Sequence, residues 1–200
     1  VVLEETNRDI SLELTRAVER MCRGEIAQFR FLYQPRIPIS QYEWNIAGKT
    51  GMLFEASCKI GAMAVQKTGA AAEEFAQIGQ KIGRAFQFRD DLMDFISNEQ
   101  KEGKQVGKDF KEGIYTLPVL LAREHKVYGK EVLDLMEKNA RGLSEEDILR
   151  LKEMVILSGA AETVRQKIWR LLDECRTAIK SWGCSWAQEE MDAVLERLKV

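Results

Sequence analysis

Proline occurs only three times in this sequence, at Pro35, Pro38 and Pro118. The long stretches between the prolines carry apolar residues three and four positions apart. This spacing places apolar side chains on one face of a helix, and the residue that most strongly breaks helices is rare. The sequence therefore predicts a chain that is almost entirely α-helical.

Capping and helix-breaking residues divide the chain into expected elements. Glycines at 103, 107 and 113, with no apolar period around them, predict one main loop. We find no internal repeat, low-complexity segment or domain boundary, so we expect a single domain. The expected boundaries are a first helix ending before Pro35, a second from a cap at Ser40 to a stop at Gly69, a third over residues 71–96, a start at Thr116 and Pro118, a capping box from Ser144 to Asp147, and two amphipathic helices at the C-terminal end.

Charge and composition narrow the function classes. The formal net charge of the 200 residues is -2, whereas nucleic-acid-binding proteins usually show a basic excess. No apolar run approaches the roughly 20 residues that span a bilayer, and the first residues do not resemble a secretory signal. The four cysteines show no C-x-x-C spacing, which gives no indication of a zinc site or a disulfide framework. We expect a cytoplasmic protein that does not bind nucleic acid and has no transmembrane segment.

The segment "GRAFQFRDDLMDF" gathers three aspartates, Asp90, Asp91 and Asp94. At about 100° per residue, a helix places them and Gln87 on one face. Neighbouring carboxylates repel one another unless a cation lies between them, and oxygen ligands at this spacing suit Mg²⁺. The segment is therefore a candidate metal site. A solvated acidic helix face is the alternative that the pattern leaves open.

Gly79 and Gly83 precede the aspartates on the same helical stripe. Because they have no side chains, we expect bare backbone there, with space for a bulky ligand to approach. Phe88, Leu92 and Phe95 fall on the opposite face, which predicts that this face is anchored in the core.

Basic and polar residues elsewhere suggest an anion site. "AGKTG" is not a P-loop, because Glu43 stands where the first glycine is required. Lys49 and Thr50 can still offer an ammonium and a hydroxyl to a diphosphate, although an ordinary surface lysine is the alternative. The main loop also contains lysines that could bind an anion or simply be solvated: Lys101, Lys104, Lys108 and Lys111. Glu25 and Gln28 form a polar pair one helical turn apart that could equally be structural.

Four ordered segments, "CRGEIAQ", "KTGMLFEASCKIGA", "GQKIGRAFQFRDDLMDF" and "GKQVGKDFKEGIYTLPVLLA", closely resemble the trans-isoprenyl diphosphate synthases. The resemblance covers residues 21–122 and is closer to the bacterial medium- and long-chain polyprenyl synthases, such as heptaprenyl diphosphate synthase. It implies an all-α isoprenoid synthase bundle around a deep central cavity. It also implies Mg²⁺-assisted condensation of isopentenyl diphosphate with an allylic diphosphate to a linear trans-polyprenyl diphosphate.

The same resemblance implies roles for individual residues. The catalytic residues are Lys49, Gln87, Asp90 and Lys104. The metal ligands are Asp90, Asp91 and Asp94, of which Asp90 and Asp94 are expected to coordinate directly. The substrate-binding residues are Lys49, Thr50 and Gln87 for the allylic diphosphate, Lys104 for neutralising it, and Gln28 in the cavity.

This family carries a first aspartate-rich motif upstream of "GEIAQ", and no such motif precedes it here. We therefore expect residues 1–200 to be the C-terminal portion of a single polyprenyl synthase domain, with its N-terminal helices missing. We expect little turnover from this portion alone, and a homodimer or a heteromer with a related chain. A non-catalytic or regulatory subunit and a class I terpene cyclase remain as alternatives.

Overall fold

Helices account for all the regular secondary structure in the described part of the chain, which confirms the all-α class. The computed structural model describes residues 8–67, 69–96, 107–181 and 185–200. A π-helical turn spans Ala47–Gly51. The helices are α1 Arg8–Arg30, α2 Ile39–Ile46, α3 Met52–Ala64, α4 Ala70–Ile96, α5 Lys108–Lys111, α6 Leu117–Arg123, α7 Gly129–Asn139, α8 Glu145–Leu157, α9 Ala160–Lys180 and α10 Ser185–Glu196.

The chain forms two compact units. Of the described residues, the first contains 8–27, 44–67, 69–87, 169–181 and 185–199, and its core includes Ile82 and Leu172. The second contains the described residues 28–43, 88–96 and 107–168 and has a buried aromatic and aliphatic core. Phe88, Leu92 and Phe95 are all within that second core, as the helical pattern predicts. The single domain and its deep central cavity stay predictions.

Local sequence signals explain several helix starts. Ser144 accepts a hydrogen bond from the Asp147 backbone N–H, and the Asp147 carboxylate accepts one from the Ser144 backbone, so the predicted capping box begins α8. Thr116 occupies the N-cap position of α6, with Pro118 in the first turn. α4 spans Ala70–Ile96, one residue longer than predicted.

Three expectations about helix boundaries are wrong. Ser40 is not a cap, because α2 already begins at Ile39. α3 ends at Ala64 rather than at Gly69, since Val65 departs from helical geometry. The predicted loop contains a short helix, Lys108–Lys111, and α7 has no counterpart among the sequence predictions. No helix within the described ranges is long and apolar enough to cross a membrane.

Candidate active site

The first unit brings the KT pair, Lys49 and Thr50, together with two polar partners, Glu25 and Gln87. The hydroxyl of Thr50 donates a hydrogen bond to the side-chain oxygen of Gln87, at 2.7 Å. The ammonium of Lys49 lies 3.0 Å from a carboxylate oxygen of Glu25. The π turn therefore presents an ammonium and a hydroxyl side by side, and the hydroxyl is oriented by α4.

Close packing of α1 against the π turn fixes the position of Lys49. A Cβ on Gly24 would lie 2.6 Å from the backbone nitrogen of Lys49, so a side chain does not fit there. The glycine of "RGEIAQ" is thus explained by helix contact. Gln28, near the end of α1, is half-buried.

The expectation that Gly79 and Gly83 leave room for a ligand is wrong. A Cβ on Gly79 would lie 2.3 Å from the carbonyl oxygen of Phe54, and one on Gly83 would lie 2.8 Å from the Cα of Gly51. Both glycines therefore face an earlier segment of the same chain, the π turn and α3. They allow α4 to pack closely on the π turn and α3, and the space beside them is filled by protein.

In the second unit, Asp91 occupies a different environment from the aspartates beside it. Its side chain is 1% exposed and accepts a hydrogen bond from the hydroxyl of Tyr42, which is itself buried. Asp90, by contrast, is exposed. The helical wheel places all three aspartates on one face, but in the structure Asp91 is oriented into the core.

Asp94 combines partial burial with an incomplete set of hydrogen bonds. Its Oδ1 accepts a hydrogen bond from the backbone N–H of Lys108, at 3.2 Å, whereas its Oδ2 is buried and has no partner among the described residues. Burial raises the pKa of Asp94 to about 6, and the negative charges of Asp109 and Asp90 add to this effect. Backbone N–H groups at the start of α5 offset part of the shift. The Oδ2 atom of Asp94 can therefore still accept a cation.

Within the part of the chain that the structure describes, no three acidic, cysteine or histidine side chains converge on one point. A metal at Asp94 would therefore take most of its ligands from elsewhere, as Mg²⁺ commonly does from water and phosphate oxygens. Lys104 lies outside the described residues.

A family model for polyprenyl synthetases matches residues 2–155 of the chain. The chain belongs to the polyprenyl synthetase family. This membership agrees with the all-helical fold and with the order of the four sequence motifs.

Individual polyprenyl synthetase relatives support the assignment. The chain is 37% identical over 109 residues to heptaprenyl diphosphate synthase component 2 of Geobacillus stearothermophilus, a match covering 54% of this chain and 34% of that protein. It is 27% identical over 192 residues to geranylfarnesyl diphosphate synthase of Aeropyrum pernix, covering 93% of this chain and 59% of the relative.

A solved structure gives the same result for the fold. The polyprenyl synthase of Caulobacter crescentus CB15, complexed with calcium and isoprenyl diphosphate, matches with a TM-score of 0.84 and 28% identity. The match covers 98% of this chain and 58% of that one. The chain therefore spans well under two thirds of the length of these polyprenyl synthetase relatives.

Sequence reasoning missed three residues that interact with the candidate residues. Tyr42 contacts Asp91 from 49 positions away, and no local pattern indicates that pairing. Glu25 was noted only as the neighbour of Gln28, although it pairs with Lys49. Asp109 could have been found, because it follows a glycine and a lysine in the "GKD" segment beside the predicted anion-binding loop.

Proposed function

We propose that the protein containing this chain is a trans-prenyltransferase that condenses isopentenyl diphosphate with an allylic diphosphate to give a linear trans-polyprenyl diphosphate. One observation carries the proposal. α4 holds Gln87, which is hydrogen-bonded to Thr50 of the KT pair, and the next turns of the same helix hold Asp90 and Asp94. Groups suited to a diphosphate and groups suited to its metal thus follow one another along one helix.

The acidic residues fit a divalent cation. The buried Oδ2 of Asp94 has no partner in the described chain, and the nearby Asp109 carboxylate adds to the negative potential. We assign Asp90 and Asp94 as the Mg²⁺ ligands and Asp91 as a residue that holds α4 in place through Tyr42. Bound Mg²⁺ would supply Lewis-acid stabilisation of the leaving diphosphate. The calcium and isoprenyl diphosphate in the Caulobacter structure support a metal and substrate of this kind.

The polar residues of the first unit would bind the diphosphate. Lys49 carries a compact positive charge whose present partner is Glu25, and a diphosphate would compete for that ammonium. Thr50 and Gln87 would fix the orientation of the anion through directional hydrogen bonds. We also keep Lys104 as a neutralising lysine and Gln28 as a cavity residue in the proposal.

The bond changes follow from the substrates. The allylic carbon–oxygen bond breaks, and its electron pair leaves with the diphosphate. The double bond of isopentenyl diphosphate then attacks the allylic cation, and a carbon–carbon bond forms. Loss of a proton to the departing diphosphate restores the double bond, so the protein's task is to position both substrates and stabilise the anion.

A second candidate is a subunit of a heteromeric synthase, either catalytic or regulatory. The name of the Geobacillus relative, component 2, favours this possibility. A subunit of a heteromeric synthase would need a different chain for turnover, whereas the prenyltransferase proposed first would work as a homodimer. We place either assembly in the cytoplasm as part of the proposal.

Radiolabelled isopentenyl diphosphate, farnesyl diphosphate and Mg²⁺ test the proposal on the complete protein that contains this chain. We expect linear polyprenyl products and a loss of two or more orders of magnitude in turnover for Asp90→Asn, with about tenfold for Thr50→Val. Glu74→Gln, on the first turns of the same helix, is the matched control. Equal turnover in all variants would overturn the residue assignment, a cyclic hydrocarbon would indicate a cyclase, and turnover only with a second chain would indicate the heteromer.

A further inference from the structure

Tyr33 has a backbone conformation that is unusual for a residue with a large side chain. Its φ is 56°, in the left-handed region, three residues after the end of α1. Such a conformation is unfavourable for an aromatic residue, so other contacts must hold it. Those contacts lie within the second unit and lead to the segment that hydrogen-bonds Asp94.

The contacts of Tyr33 converge on the end of α5. Its backbone N–H donates to the carbonyl oxygen of Gly113, at 2.9 Å, and its hydroxyl lies 3.4 Å from the carbonyl oxygen of Lys111. Its ring covers Gly113 so closely that a Cβ there would lie 2.7 Å from a ring carbon. Gly113 also has a φ of 81°, which suits glycine.

The other end of α5 contacts Asp94. The backbone N–H of Gly107 donates to the carbonyl oxygen of Asp94, at 3.2 Å, and that of Lys108 donates to its carboxylate, also at 3.2 Å. Because α5 is a single short helix, its two ends cannot move independently. Displacement of the Gly113 end would move the N–H groups that orient Asp94.

The segment that follows Tyr33 is held in place by a residue of α6. The guanidinium of Arg123, in α6, donates to the carbonyl oxygens of Pro35 and Ile37, each at 2.9 Å. Tyr33 therefore extends from an anchored segment rather than from a loose helix end. α5 has further attachments: the side-chain amide of Asn139, in α7, donates to the carbonyl oxygen of Phe110, and Lys111 forms a more exposed ion pair with Glu145 at 3.0 Å.

We propose that Tyr33 is a positioning residue for Asp94: its ring and backbone N–H fix the Gly113 end of α5, and α5 in turn holds the Asp94 carboxylate ready for a divalent cation. The claim that Asp94 binds a cation rests on the proposed function, whereas the claim that Tyr33 fixes α5 does not. Tyr33 touches neither metal nor substrate in this scheme.

Tyr33→Asn isolates the ring, because asparagine tolerates a positive φ and should not add backbone strain. Tyr33→Phe keeps the ring and removes only a long hydrogen bond, so it should behave like the wild type. Tyr128→Asn is the matched control: Tyr128 stacks on His125 at a ring-centroid distance of 5.2 Å in the same unit. Among the described residues, its hydrogen bonds and ring contact do not involve α5.

Two readouts are measured on each folded variant. Amide hydrogen exchange should rise about tenfold in residues 107–113 of Tyr33→Asn, with little change in α7 and α8, and a local opening of this kind is distinct from a loss of overall stability. Mn²⁺ affinity, followed by the electron paramagnetic resonance signal of the free ion, should fall about tenfold in Tyr33→Asn and remain unchanged in Tyr33→Phe and Tyr128→Asn.

Unchanged exchange in residues 107–113 of Tyr33→Asn would overturn the inference, as would an equal increase in Tyr128→Asn. Faster exchange with unaltered Mn²⁺ affinity would overturn the coupling to Asp94. If the wild-type protein does not bind Mn²⁺, the metal assignment of the proposed function fails, and the exchange measurement alone decides whether Tyr33 positions α5.

Discussion

The hydroxyl of Thr50 lies 2.7 Å from the side-chain oxygen of Gln87 and donates a hydrogen bond to it. This bond joins the π turn to α4 and orients two groups proposed to bind diphosphate. Thr50→Val removes the donor but keeps the shape of the side chain. We expect pyrophosphate, measured by titration calorimetry with Mg²⁺, to bind about tenfold more weakly, because hydrogen bonds to charged groups contribute about 1.5–3 kcal/mol. Thr50→Ser keeps the hydroxyl and should bind normally; equal weakening in both variants would contradict the role of this hydroxyl.

Tyr42 and Asp91 form a buried pair, whereas Asp90, proposed as a metal ligand, is exposed. Removing the hydroxyl in Tyr42→Phe should cost about 1–3 kcal/mol of unfolding free energy, because a buried carboxylate loses a donor. Urea unfolding measures this loss. Mg²⁺ affinity of the folded protein should change little in Tyr42→Phe, whereas Asp90→Asn should lose Mg²⁺ affinity with little loss of stability. The opposite pattern would make Asp91 a metal ligand.

The carboxylate of Asp94 should destabilise the metal-free protein. Its pKa is raised to about 6 from an ordinary value of 3.8, so stability should fall as pH rises from 4 to 6. Asp94→Asn removes this charge and can still accept the hydrogen bond from Lys108. At pH 8 we expect the variant to be more stable by about 1 kcal/mol after allowing for solvent screening, with the gap closing below pH 4.

Added Mg²⁺ distinguishes metal binding by Asp94 from the effect of its charge on stability. The melting temperature of the wild type should rise with Mg²⁺, because a ligand that binds only the folded state stabilises it. Asp94→Asn should not respond. In the absence of Mg²⁺, an Asp94→Asn protein that is less stable than the wild type at pH 8 would contradict the prediction from the raised pKa of Asp94.

Gly79 distinguishes helix packing from space for a ligand. An added Cβ would lie 2.3 Å from the carbonyl oxygen of Phe54, so Gly79→Ala should lose about 1–3 kcal/mol of stability without any substrate present. Gly61→Ala is the control: Gly61 lies within α3 and has no atoms near its Cβ position, so this change should stabilise by about 0.5–1 kcal/mol. Denaturant titration compares the two, and a stable Gly79→Ala protein would restore the ligand-space interpretation.

The low pKa of Asp147, at the start of α8, should make the stability of the protein depend on pH. An ion pair with Lys138 and hydrogen bonds from Ser144 lower its pKa from 3.8 to about 2. Its contribution to stability is therefore present above pH 4 and disappears as pH falls through 2. Asp147→Asn should melt at a lower temperature than the wild type at pH 7, and the two curves should converge near pH 2. A gap that is constant with pH would contradict this.

The sequence predicted the elements whose signals are local. The apolar repeat of α4 is uninterrupted for 27 residues, and the Ser144–Asp147 box needs only four positions, so both helix starts could be placed closely. Gly79 shows the limit of such reasoning. A stripe without side chains has the same pattern whether a ligand or a neighbouring helix approaches it.

The candidate site was predictable in its residue types and less so in its geometry. Thr50 and Gln87 do meet, but the helical wheel could not reveal that Asp91 turns inward to Tyr42. A separation of about 100° on the wheel is wide enough to span a boundary between solvent and core. Contacts between distant parts of the chain decided which aspartate lies on which side.

The π turn at Ala47–Gly51 has a consequence for how this region tolerates changes in length. A π turn holds about one residue more than an α-helical turn, so it amounts to a single-residue insertion between α2 and α3. Deleting one residue there would close the π turn to an ordinary α-helical turn and leave α3 facing the same way, because the wider turn is what accommodates the extra residue. A second inserted residue has no such turn to accommodate it and would rotate α3 by about 100°, so that Phe54 turns away from Gly79. In this part of the chain, a one-residue deletion should therefore preserve the packing of α3 better than a one-residue insertion.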